Sequence, residues 1–154
     1  MFERFRPDAR GAVERARDEA TRAGQPDISS EHLLLGLLEE PGVAADALAA
    51  AGADAADLRS HLPQGEASPP ETGQRGRQWR GITDGMRMTA DARRALEAGL
   101  HRALKLDHRG VSSGHLLLGT IDQPDDPAVT ALTAAGVNVG WLRDDVLRRM
   151  MPPT

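Results

Sequence analysis

The run Ser29-Ser30-Glu31-His32-Leu33-Leu34-Leu35-Gly36 returns almost unchanged as Ser112-Ser113-Gly114-His115-Leu116-Leu117-Leu118-Gly119. Ala9-Arg10 reappears as Ala92-Arg93 at the same offset of 83 residues, so the first part of the two copies aligns without a gap. A chain built this way folds as one helical unit written twice, and any site in one copy has a candidate counterpart in the other.

Each copy reads as four helices. Ala9, Ala12, Val13, Ala16 and Ala20 recur at helical spacing between outward Arg and Glu, predicting a helix from Asp8 to Ala23 that stops at Gly24. Ser30 stands as a cap before Glu31 to Leu38, a stretch too rich in leucine for the surface, which Pro41-Gly42 ends. Two short helices follow, Ala44 to Ala51 and Asp54 to Leu62, hinged at Gly52, where a tight turn calls for positive φ. The second copy keeps the order with Ala90 to Leu106, Ser113 to Asp122, Ala128 to Ala135 and Val139 to Met151, turning at Gly136. Gly136 lies 84 residues after Gly52, which puts one extra residue in the second copy near Gln123 to Pro127. No segment alternates with the period of a strand. The fold class is therefore all-α, with repeat one at 1–62, a linker at 63–87 and repeat two at 88–151.

The 154 residues suffice for two small halves sharing one core. With no cysteine there is no disulfide framework and no thiol nucleophile, and a zinc site would need His and carboxylates alone. No apolar run approaches a membrane span and the start lacks a signal region, which reads as a cytoplasmic protein without a membrane partner. A net charge of −4 offers no global attraction to nucleic acid. The linker is locally basic, and its Arg75, Arg77, Trp79, Arg80 and Arg87 read either as a solvated connector or as a grip for nucleic acid or an acidic surface. Trp79 either packs loosely or docks over the cleft between the repeats.

The paired repeats, with Met1-Phe2-Glu3-Arg4-Phe5 ahead of them and Ser-Glu-His-Leu-Leu-Leu-Gly opening the second helix, resemble the Clp repeat. That is the N-terminal domain of the AAA+ unfoldases ClpA and ClpC, and the likeness is to ClpC in particular. The resemblance implies two four-helix repeats about a pseudo-twofold axis that receive substrates and adaptors. No Gly-x-x-x-x-Gly-Lys-Ser/Thr loop occurs, and the one lysine, Lys105, lies in Ala103-Leu104-Lys105-Leu106-Asp107, so these residues read as an N-domain without a motor.

Ser30 and Glu31 open the second helix, where unpaired N–H groups suit phosphate and a carboxylate suits a guanidinium. The resemblance implies that such a pair binds phosphoarginine, a degradation mark, with Ser29 here in place of the family's Gly and Ser30 in place of its Thr. Glu31 has an equally simple reading as a favourable charge at a helix start. In the second copy, Ser113 is followed by Gly114, which removes the carboxylate and degrades that site. His32 and His115 read as structural histidines bonded to nearby backbone, and neither they nor His61, His101 and His108 form a metal set.

The family also implies a peptide cleft that takes cyclic peptide antibiotics. Phe2, Arg10 and Val13 match its first-repeat part, Arg93 and Glu97 its second-repeat part, and Met88 stands where an aromatic is usual. Phe2 and Phe5 read equally well as closing the first helix on the core. No nucleophile, paired acid or phosphate loop argues for an enzyme, and no cofactor is expected. The leading expectation is a non-catalytic peptide or protein-binding module acting as decoy or regulator of Clp proteolysis. The other is an assembly subunit that docks on the unfoldase or its adaptors without a ligand pocket.

Overall fold

A computed structural model describes residues 5–61 and 87–150. The linker expectation, with Arg75, Arg77, Trp79 and Arg80, falls outside the described residues, as does Phe2. Eight helices are described: α1 (Pro7–Arg22), α2 (Ser30–Glu39), α3 (Val43–Ala50), α4 (Ala55–Ser60), α5 (Ala90–Lys105), α6 (Ser113–Ile121), α7 (Pro127–Ala134) and α8 (Val139–Met150). The all-α expectation holds, with every boundary within two residues; the largest difference is at α4, described to Ser60 against an expected Leu62.

The leucine-rich helices form the centre. Every residue of α2 from Ser30 to Leu37 is buried, and so is every residue of α6 from Ser113 to Ile121. Both pack against helices of their own repeat and of the other. Leu33, Leu34, Leu35 and Leu37 meet Leu116, Leu117, Leu118 and Ile121 in one shared core. Burial of each such side chain contributes about 1.5–3 kcal/mol.

The alanine stripe of α1 explains how α2 comes so close. A Cβ on Gly36 would overlap the carbonyl oxygen of Ala12, and a Cβ on Gly119 would overlap that of Ala95 in α5. Shifting Gly36 and Ala12 by 83 residues gives Gly119 and Ala95, so one backbone contact is built twice. Gly52 and Gly136 are likewise matched, at φ 88° and 86°.

Two isolated parallel bridges define how the repeats face each other: Phe5 with Val111, and Met88 with Ile28. The same shift of 83 carries Phe5 onto Met88 and Ile28 onto Val111, so each repeat lends its leading segment to the loop before the other's central helix. The Arg6 N–H donates to the Val111 carbonyl at 2.8 Å and the Thr89 N–H to the Ile28 carbonyl at 2.9 Å. Such reciprocal pairing is what a twofold axis requires.

Three differences break the symmetry. Helix α8 has 12 residues against 6 in α4, and its end reaches α3. In repeat one the Arg59 guanidinium bridges to Glu19 at 2.5 Å, tying α4 to α1, and Arg59 holds the Glu19 carboxyl below the usual range. Arg102 replaces Glu19 in repeat two and pairs with Asp122 at 3.0 Å, while Arg143, the counterpart of Arg59, donates instead to the Ile121 carbonyl at 3.2 Å.

Replacing Gly36 or Gly119 with alanine is expected to lower stability by about 1–3 kcal/mol in a urea titration, because backbone on the facing helix has to move. Gly140→Ala in α8, whose added Cβ would find only Asn138 Oδ1 at 3.4 Å, is expected to gain up to about 1 kcal/mol.

Candidate functional site

Because α2 and α6 are buried on all sides, their first-turn N–H groups depend on protein partners. The cap of α2 is Ser29, a correction to the expectation that Ser30 caps it. The Ser29 hydroxyl accepts from the His32 N–H at 3.3 Å, and the Ser29 N–H donates to His32 Nδ1 at 3.0 Å. A histidine thus fills the third position of a capping box more usually completed by Glu or Gln. Ser112 and His115 repeat the arrangement in α6. Both histidines are structural, bonded to backbone as the sequence suggested.

Ser30 is fully buried, and its hydroxyl donates to Asp126 Oδ1 at 2.6 Å. That oxygen also accepts from the Ala128 N–H at 2.8 Å, so Asp126 caps α7 and tethers it to α2. Glu31, 8% exposed, lies beside this group. Burial, then the charges of Asp126 and Asp91, push its carboxyl up against a lowering hydrogen bond with Ser29. Burial also raises Asp126, which two hydrogen bonds only partly offset. Glu31 makes no ion pair with a described residue. The result is a desolvated acidic recess at the mouth of α2, suited to a guanidinium or ammonium group.

The counterpart at α6 is filled. Asp8 Oδ2 accepts from the Ser113 N–H at 3.1 Å and from its hydroxyl at 2.7 Å. The Ser113 oxygen in turn accepts from the Ala44 N–H at 3.2 Å, which serves the start of α3, where the cap residue is Gly42 with no side chain to offer. At Gly114 the space of a side chain is taken by Met150 of α8 and by Val43. The second site lacks its carboxylate and is also plugged, a feature the sequence left hidden because α8 and Gly114 are far apart in the chain.

The expected peptide cleft comes apart into core and surface. Val13 is fully buried and Met88 is 6% exposed, both packed in the shared core. Arg10 is exposed on α1 beside a pocket of about 620 Å3 that it lines with Phe5, Pro7, Gly11, Glu14 and Glu40. Glu97 is exposed and Arg93 half-buried on α5, and neither lines that pocket. Phe5 is buried, at 4% exposure, as its reading as a core residue expected. Arg87 pairs with the buried Asp27 at 2.9 Å, beside the Ile28–Met88 bridge.

Repeat two carries one contact that the sequence did not announce. The backbone N–H of Ser112 donates to His115 Nδ1 at 2.9 Å, so the neutral ring carries its proton on Nε2, which donates to His108 Nδ1 at 2.8 Å. Burial and then the neighbouring His108 hold His115 down at about 4. The counterpart of His108 in repeat one is Gln25. Among the described residues no group of three or more His, Cys, Asp or Glu is placed to hold a metal.

Two predictions follow from these groups. An acid whose pKa is raised on folding opposes folding once ionised, so Glu31→Gln is expected to raise the urea midpoint at pH 7. The gain should shrink as pH falls below the raised pKa toward the unfolded value. For His115 the lowered pKa works the other way: its neutral form is the folded form, and stability drains as pH falls from about 6.5 toward about 4. NMR titration of the imidazole carbons should show His115 still neutral at pH 5, where an ordinary histidine is charged.

The family model for the Clp repeat (R) N-terminal domain matches residues 4–80 and 87–151. The chain is 32% identical over 149 residues to the negative regulator of genetic competence ClpC/MecB of Bacillus subtilis (strain 168), covering 96% of this chain and 17% of that protein. It is 30% identical over 151 residues to the chaperone protein ClpB of Oceanobacillus iheyensis, again covering 96% and 17%. It therefore spans about a sixth of the length of these relatives. The N-terminal domain of the ClpD chaperone from Arabidopsis thaliana superimposes with a TM-score of 0.75 at 24% identity, over 97% of this chain and 96% of that one. The Hsp104 N-terminal domain from Candida albicans follows the same fold at 0.67 and 14%, over 94% and 90%. On the match across both repeats, the chain belongs to the Clp repeat N-terminal domain family.

Proposed function

We propose that this chain is a non-catalytic protein-binding module that receives degradation-marked proteins or adaptors of a Clp unfoldase, and that it regulates Clp proteolysis by competing for them. The observation that carries this reading is Glu31. This chain holds a buried carboxylate next to a second one, with no ion-pair partner among the described residues. Holding such a charge out of water costs stability unless a ligand cation compensates it.

Phosphoarginine is the mark we assign to the recess. Glu31 and the Asp126 carboxylate would hold its guanidinium, while Ser30 acts by holding Asp126 in place. The plugged position at Gly114 makes the stoichiometry one ligand per chain. Peptide-like antibiotics are assigned instead to the surface around Arg10, Arg93 and Glu97, without help from Val13 or Met88.

Calorimetric titration with phosphoarginine, and with arginine as reference, tests the mark. Wild type is expected to saturate at one equivalent, and Glu31→Ala to bind more than about tenfold more weakly, the cost of losing one partner of a charge-assisted pair. Absence of heat with wild type removes the phosphoarginine assignment. Recovery of a Clp-type hexamer in a pull-down without any saturable peptide binding would favour the assembly-subunit reading.

A further inference from the structure

The pseudo-twofold axis places a second recess opposite the first, and its charge is of the other sign. Beside the plugged Gly114 runs a groove of about 450 Å3 lined by Arg6, Arg109 and Arg149 with His108, over a floor that includes Val43 and Met150. The residues matching Arg6, Arg109 and His108 in the other repeat are Thr89, Pro26 and Gln25, none of them charged. There the acids Glu31 and Asp126 dominate; here the guanidinium groups do. Arg6, Arg109 and His108 therefore have no charged counterpart in the other repeat.

The cations are available. Arg6 and Arg109 are exposed, and neither side chain makes an ion pair or hydrogen bond with another described residue. Arg149 is held at the rim by Asp145 at 2.8 Å. One carboxylate, Asp107, lies in the lining, and Asp8 is already committed to Ser113. A positive recess with apolar side chains in its lining suits a short segment that alternates carboxylates with aliphatic side chains. A continuous polyphosphate backbone fits less well: the chain as a whole is negative at −4, and no Phe, Tyr or Trp is among the described residues that line the groove.

We propose that this groove docks an acidic peptide segment of a partner protein, Arg6 and Arg109 taking its carboxylates and Met150 and Val43 its apolar side chains. The proposal deepens the protein-binding reading and rests on it: a partner would meet an acidic recess at one end of the pseudo-dyad and a basic groove at the other, which fixes its direction. Asp8, Ser113 and Met150 then hold the groove in shape, and the loss of the second guanidinium recess becomes a change of specificity.

The test is fluorescence anisotropy of the intact chain with a labelled ten-residue peptide of alternating Glu and Leu. A Lys-Leu peptide and a single-stranded oligonucleotide of equal length serve as comparisons. Wild type is expected to bind the Glu-Leu peptide saturably, more weakly as salt rises, and in preference to both comparisons. Arg6→Glu with Arg109→Glu should weaken it by about tenfold or more at an unchanged melting curve. The neutral pair Arg6→Gln with Arg109→Gln provides the same comparison if the reversed charges disturb folding. Failure of wild type to saturate, indifference to both double variants, or tighter binding of the oligonucleotide overturns the proposal. Phosphoarginine binding at Glu31 is read in a separate titration, so loss of one assignment leaves the other standing.

Discussion

Everything in this molecule follows from two helices that have no water-facing side. Once α2 and α6 are sheathed by their own repeat and by the partner repeat, each exposed end of their hydrogen-bond ladders must be answered from inside the protein. His32 and His115 answer Ser29 and Ser112, Asp126 answers Ser30 and the start of α7, and Asp8 answers Ser113. These polar contacts come in a buried setting where an unmet group costs about 1–3 kcal/mol, so they select the orientation of α1, α3 and α7 as firmly as the leucines select their depth.

The same constraint separates what supports the fold from what is left over to bind. Ser30, Ser113 and Asp8 have internal partners and serve the scaffold, and Asp126 does so as well while it faces Glu31. Glu31 sits one residue past Ser30, is almost as deep, and has no ion-pair partner among the described residues. Duplication makes the contrast plain, because the position one residue past Ser113 has surrendered its side chain and admitted Met150 from the lengthened α8. One copy keeps a charge that its own packing leaves uncompensated; the other has turned the equivalent space into core and collected arginines around it.

The two repeats also differ in how their last helix is tied. In the first, Arg59 on α4 finds a carboxylate on α1; in the second, a charge exchange at the equivalent of Glu19 turns Arg143 to a backbone carbonyl. Helix α8 compensates with length, running on to α3. Met150, at the end of that extension, occupies the space beside Gly114.

The repeat register, the eight helices and the central place of both leucine runs were legible in the chain itself, because they depend on local periodicity and on an 83-residue self-match. So was the turn at Gly52 and Gly136, since only glycine takes positive φ without strain. The capping residue was misplaced by one, because Ser29 and Ser30 are chemically alike and only the burial of Ser30 against Asp126 tells them apart. That Val13 and Met88 pack in the shared core was not legible, since a position reveals its depth only once its neighbours are placed. Tertiary structure alone decided which carboxylates are answered, that Met150 fills the gap at Gly114, and that Arg6 meets Arg109 and Arg149, because each of these joins residues from different repeats or opposite ends of one. Local sequence carries no information on such pairings; the packing of two buried helices against each other does.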